Sequence, residues 1–177
     1  MKKLISILMF ASIFIACNKD DDPKPTNPID QLPPATQTGE NTFGCLLDGE
    51  VFKPGFYNNS YNCYYQFLDG EYYFAVGASK KNNDNLLIGL ALRTEKKQIL
   101  QGELYNLVEL IDGEASASYT IGLNSFRTSQ MNSGELKITK LDFTNNIVSG
   151  TFFYDVKDSQ NIVHQIRDGR FDMRFTQ

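Results

Sequence analysis

Side chains able to make or break bonds are scarce in this 177-residue chain, which has one histidine, His164, and three cysteines, Cys17, Cys45 and Cys63. A nucleophile activated by an imidazole base would have to use His164. The run Ile162-Val163-His164-Gln165-Ile166 reads instead as a strand with the ring between apolar neighbours, a structural or surface position. No nucleophile elbow, HExxH helix, P-loop or dinucleotide glycine pattern occurs. Two carboxylates facing each other across a cleft could hydrolyse a glycoside, and Asp142, Asp155, Asp158, Asp168 and Asp172 are the candidates. Most of them read better as turn residues or as outward partners of Lys and Arg. No catalytic residue is assigned and no enzyme is expected. No metal or cofactor is expected either, because two thiols and one imidazole fall short of a zinc ligand set.

Cys17 stands apart from the other thiols. Lys2 and Lys3 are followed by apolar or small residues from Leu4 to Ala16. That run is too short for a bilayer core of about 30 Å, which needs roughly twenty residues, so residues 1–16 are expected to be a signal peptide. Phe14-Ile15-Ala16-Cys17 resembles the lipobox of bacterial lipoproteins, with Phe14 where leucine is usual. The resemblance implies that the Cys17 sulfur takes a diacylglyceryl group and becomes the mature N-terminus. Two or more acyl chains such as palmitate, at about 0.8 kcal/mol per buried CH₂, would make the anchor effectively permanent. Lys19, Asp20, Asp21 and Asp22 resemble the export signal by which Bacteroidota send lipoproteins to the outer face of the outer membrane. No calcium-loop spacing follows the three aspartates.

From Cys17 to Thr42 the chain reads as a lipidated cysteine and a disordered tether. Pro23, Pro25, Pro28, Pro33 and Pro34 keep this stretch extended, and it has no aromatic residue to bury. Fully extended at about 3.3 Å per residue, it could reach roughly 80 Å.

Residues 43–177 read as a single all-β domain. Phe43, Cys45 and Leu47 alternate, as do Tyr72, Phe74, Val76 and Ala78, then Ile88, Leu90 and Leu92, and later Phe171, Met173 and Phe175. Only Glu103 to Leu110 shows weak helical spacing. Asp48-Gly49, Asp69-Gly70, Asp112-Gly113 and Asp168-Gly169 read as tight hairpin turns, and Asn145-Asn146 as another. The expectation is an antiparallel meander of about nine to eleven strands, folded as a sandwich or a partly closed barrel. In an exported protein, Cys45 and Cys63 are expected to form a disulfide worth roughly 3 kcal/mol in the chain-entropy model.

The stretches LPPATQTGENTFGCLLDGEVF (32–52), GELKITKLDFTNNIVSGTFFYDV (134–156) and DGRFDMRF (168–175) resemble a family of Bacteroidota lipoproteins classed as a domain of unknown function. That resemblance implies export, a lipid anchor and an all-β fold, and it brings no activity or site with it. The net charge of −4 lacks the basic stripe a nucleic-acid partner requires. Arg170, Asp172 and Arg174 are expected to share the solvent face of the last strand. Aromatic residues crowd the region from Phe56 to Tyr73, and Tyr57, Tyr61 and Tyr64 are the expected binding surface, for a glycan or a protein. The expected function is a non-enzymatic binding module on the cell surface, tied to the membrane through its N-terminal lipid. The alternatives are a periplasm-facing accessory lipoprotein, or a barrel holding a small apolar ligand among residues such as Phe74, Leu90 and Phe152.

Overall fold

The computed structural model describes residues 27–57 and 60–177; the expected signal peptide, Cys17 and Lys19 to Asp22 lie outside them. The fold is all-β. Its strands are β1 (Thr42–Leu47), β2 (Glu50–Phe52), β3 (Tyr61–Leu68), β4 (Glu71–Lys81), β5 (Leu87–Thr94), β6 (Leu104–Val108), β7 (Ala115–Ile121), β8 (Asn124–Arg127), β9 (Gly134–Asp142), β10 (Ile147–Lys157) and β11 (Val163–Arg174). Asp48-Gly49 and Asp69-Gly70 make the β1–β2 and β3–β4 hairpins, with positive φ at both residues of each pair.

All eleven strands form one sheet, ordered β2-β1-β11-β10-β9-β6-β7-β5-β4-β3, with β8 paired to β7. Pairing is antiparallel except where Leu107 and Val108 of β6 run parallel to Ala115 and Ser116 of β7. The meander therefore breaks in the middle: β6 leaves β5 and inserts between β9 and β7. The Glu103 to Leu110 stretch is a strand, because Tyr105 and Leu107 are buried while Leu104 and Asn106 face out. The sheet curls over on itself until Phe74 of β4 and Phe171 of β11 meet with ring centroids 6.3 Å apart. One parallel bridge joins Tyr64 of β3 to Thr176, just past β11, but no continuous ladder closes the sheet.

Phe43, Phe52, Phe74, Phe152, Tyr154 and Phe171 fill the interior. Phe152 packs on both Phe43, at 5.2 Å, and Phe171, at 6.4 Å. Gly150 permits this crowding, since a Cβ there would stand 2.6 Å from both the Lys137 carbonyl oxygen and the Phe171 ring.

Further expectations change. Cys45 and Cys63 are buried free thiols and form no disulfide. Cys45 on β1 pairs with Phe52, whereas Cys63 on β3 pairs with Val76, at the other end of the strand order. Burial pushes the Cys45 thiol up to about 12 and raises Cys63 further, so both behave as small unreactive hydrophobes. Asp168-Gly169 is no hairpin turn, because it lies inside β11 beside a register shift in the β10–β11 ladder. Asp112-Gly113 turns the chain between two parallel strands. Residues 27–42, read as tether from their prolines, pack on the domain: Pro28–Gln31 forms a 3-10 turn and Leu32 is buried.

Asp172 accounts for that packing. It is fully buried rather than facing solvent beside Arg170 and Arg174. Its carboxylate accepts hydrogen bonds from the Thr36 hydroxyl at 2.7 Å, the Ser149 hydroxyl at 2.8 Å and the backbone N–H groups of Thr38 and Gly39 at 3.0 and 2.9 Å. A fifth comes from the N–H of Glu40 at 3.2 Å. Desolvation pushes the Asp172 pKa up, but these donors outweigh it and hold the carboxyl at about 2.

Candidate binding site

The β2–β3 connection places the expected aromatic surface. Pro54 and Gly55 end the pairing begun by β2, and the chain loops out through Phe56 and Tyr57 before re-entering the sheet at Tyr61. The Gly55 N–H donates to the Ser79 carbonyl at 2.9 Å, and the Tyr57 hydroxyl donates to Ser79 Oγ at 2.6 Å. Both bonds pin the loop against the end of β4. Its outermost side chain, Phe56, is left wholly exposed, and Tyr61 is 43% exposed. The exposed Phe56 ring offers apolar contact area beside a concavity.

Phe56 and Tyr61 border a cleft of about 660 Å³, together with Pro54, Lys53, Lys80 and Lys81. The ammonium of Lys53 donates to the Gln31 carbonyl at 3.2 Å, so the cleft lies against the ordered N-terminal segment. Lys80 donates to the Val51 carbonyl at 3.1 Å, with its ammonium 5.2 Å from the centroid of the Phe52 ring. Lys81 is exposed and has no partner among the described residues. Apolar walls with ammonium groups at the rim suit a ligand that stacks on aromatic rings and offers acceptors to cations.

Of the three expected tyrosines, Tyr61 borders this cleft, Tyr57 is exposed beside it with its hydroxyl bound to Ser79, and Tyr64 faces away. Tyr64 pairs with Ala75 on the outer side of the sheet, while its neighbour Tyr65 turns into the core. Phe56 and the lysines were not singled out from the sequence. Phe56 was legible there as one more aromatic residue, but its exposure depends on where the loop leaves the sheet.

His164 sits at the opposite hairpin ends. Its Nδ1 is 2.7 Å from Asp48 Oδ2 and its Nε2 is 3.5 Å from Asp158 Oδ2, with the Tyr119 ring centroid 4.7 Å from its own. Asp158 is itself held, as Oδ1 accepts the N–H groups of Gln160 at 2.9 Å and Ile162 at 2.8 Å. The remaining carboxylates of the sequence reading are dispersed. Asp142 accepts the N–H groups of Thr144 and Asn145 in the β9–β10 turn, and Asp155 pairs with Arg167 at 2.7 Å. Among the described residues no cluster of His, Cys, Asp and Glu could hold a metal ion, and no helix is long and apolar enough to cross a membrane. No family model, curated protein or solved structure matches this chain.

Proposed function

We propose that this chain is a lipoprotein anchored in the outer membrane through Cys17 and facing the cell exterior, whose β domain is a non-enzymatic binding module for a glycan or an exported protein. The observation that carries the binding reading is the cleft bordered by exposed Phe56 and Tyr61 and rimmed by Lys53, Lys80 and Lys81. His164 has Asp48 at its Nδ1 and Asp158 near its Nε2, contacts that fit a structural position. The interior around Phe74 and Phe152 is filled by ring contacts with Phe171, which favours a surface cleft over a ligand held inside the sheet.

Packing of the Pro28–Gln31 turn and Leu32 on the domain shortens the stalk expected from the prolines. Between Cys17 and Asn27 the chain spans at most about 35 Å, so a lipid at Cys17 would hold the domain close to the bilayer. The cleft, which touches the ordered N-terminal segment through Lys53, would then face ligands near the membrane rather than far from it.

The test is protease treatment of intact cells, comparing the natural chain with one carrying alanine at Lys19, Asp20, Asp21 and Asp22, alongside labelled-palmitate incorporation with Cys17→Ser. Label that depends on Cys17, cleavage of the natural chain and protection of the quadruple variant are the expected results. Protection of both chains would overturn the surface reading. A Phe56→Ser/Tyr61→Ala variant should keep its fold and lose retention on an immobilised glycan or protein panel. Retention equal to the natural chain would remove the cleft as the site.

A further inference from the structure

A second depression lies on the outer face of the sheet and shares only the Ser60–Tyr61 edge with the cleft. Strand register sets Asn62, Gly77, Ala91, Ser118 and Arg127 in one row across β3, β4, β5, β7 and β8. Their chain neighbours Cys63, Val76, Leu92 and Ala117 are core residues, so this row points outward. Gly77 and Ala91 are too small to fill the space above the strands, and a depression of about 340 Å³ results.

Two guanidinium groups flank it. Arg93 on β5 is opposite Ser116 of β7, and Arg127 on β8 is opposite Ser118 of β7. The two arginines thus stand on either side of β7, offset by two residues, with Cα atoms roughly 12 Å apart for strands spaced about 4.8 Å. Both side chains are long enough to converge on a ligand above Ser118. Neither arginine has an ion pair or a side-chain hydrogen bond among the described residues, and no carboxylate borders the depression. Ser116, whose residue is 3% exposed, borders the depression from below, and Ser118 stands two residues along the same strand.

We propose that this depression binds an acidic sugar unit, with Arg93 and Arg127 clamping its carboxylate or sulfate and Ser116, Ser118 and Asn62 taking its hydroxyls. The planar guanidinium fork matches the oxygens of a carboxylate or sulfate, which a lysine cannot do in two directions at once. The volume is at the small end of the range of about 300–1,000 Å³ for ligand sites, which suits one sugar unit rather than an extended chain. The site stands independently of the lipid anchor and of the Phe56 cleft.

Calorimetric titration of the full chain in neutral detergent with glucuronate, glucose and inorganic sulfate tests it. Glucuronate is expected to bind, with weaker binding as salt rises, while glucose does not bind. Arg93→Gln/Arg127→Gln should weaken glucuronate by about tenfold or more, and Ala91→Phe, which fills the depression, should abolish binding. Lys157→Gln, which removes an exposed charge at the end of β10 away from both depressions, should leave it unchanged. Failure of glucuronate to bind at tens of millimolar, or equal binding by the arginine variant, overturns the proposal. Sulfate binding as tightly as glucuronate overturns the role given to the hydroxyls.

Discussion

Asp172 and the Arg93–Arg127 pair are charged groups on strands of the same sheet, yet their surroundings are opposite. Asp172 is fully buried and has five donors, all from its own chain, while the two arginines are exposed and have no ion pair or side-chain hydrogen bond among the described residues. The difference separates a charge used to hold the fold from a charge left available. A carboxylate whose every acceptor site is filled by backbone and hydroxyl donors has been committed to structure. Guanidinium groups beside a depression with no acid in it have not. His164, between Asp48 and Asp158, belongs with Asp172 in this respect.

The largest expected effect that would break the comparison is on stability. Asp172→Ala leaves the N–H groups of Thr38, Gly39 and Glu40 without their acceptor and frees the 33–41 segment. It should cost about 3 kcal/mol in urea unfolding, and a loss under about 1 kcal/mol would show that the knot is incidental. Acid supplies the next effect. Asp172 has a folded pKa of about 2, below the unfolded value of roughly 3.9, so its contribution is complete above about pH 4 and is lost as pH falls from there through 2. Urea midpoints should record a loss of about 2 kcal/mol across that window, absent in Asp172→Asn. A flat profile in the natural chain would overturn this reading. The smallest effect lies at the other pole. Arg93→Gln/Arg127→Gln should change stability by less than about 0.5 kcal/mol, because no ion pair or side-chain hydrogen bond among the described residues is lost. A larger loss would mean that the arginines, too, serve the fold.

Much of the fold was legible because period-2 alternation directly encodes which side of a strand is buried. Phe74, Val76 and Ala78 read as one buried face and are one. The Asp-Gly pairs were legible only in part: Asp48-Gly49 and Asp69-Gly70 are the expected turns, whereas Asp168-Gly169 serves the register shift within β11. The same left-handed propensity suits either setting, and sequence does not record which strand lies alongside. The candidate site was legible as a crowd of aromatic residues around Phe56 to Tyr73, but the roles within it were not. Tyr61 reached the cleft, Tyr64 went to the other face, and the fully exposed side chain was Phe56. Loop exit angles decide this, and a loop with Pro54, Gly55 and no alternation carries no periodic signal.

What the sequence alone determined is the all-β class and the position of most strands, since apolar alternation is local and needs no partner to be read. The signal-like Leu4 to Ala16 run and the Cys17 motif are local in the same sense, and they define the expectation of a lipid anchor. Tertiary structure decided the rest. It set β6 between β9 and β7, kept Cys45 and Cys63 apart as free thiols, and turned Asp172 from a surface charge into the lock on residues 36–40. It also lined up Arg93, Ser116, Ser118 and Arg127 from three separate strands. These outcomes depend on which strands become neighbours when one sheet curls to bury its apolar face, and that is a property of the whole chain rather than of any window within it.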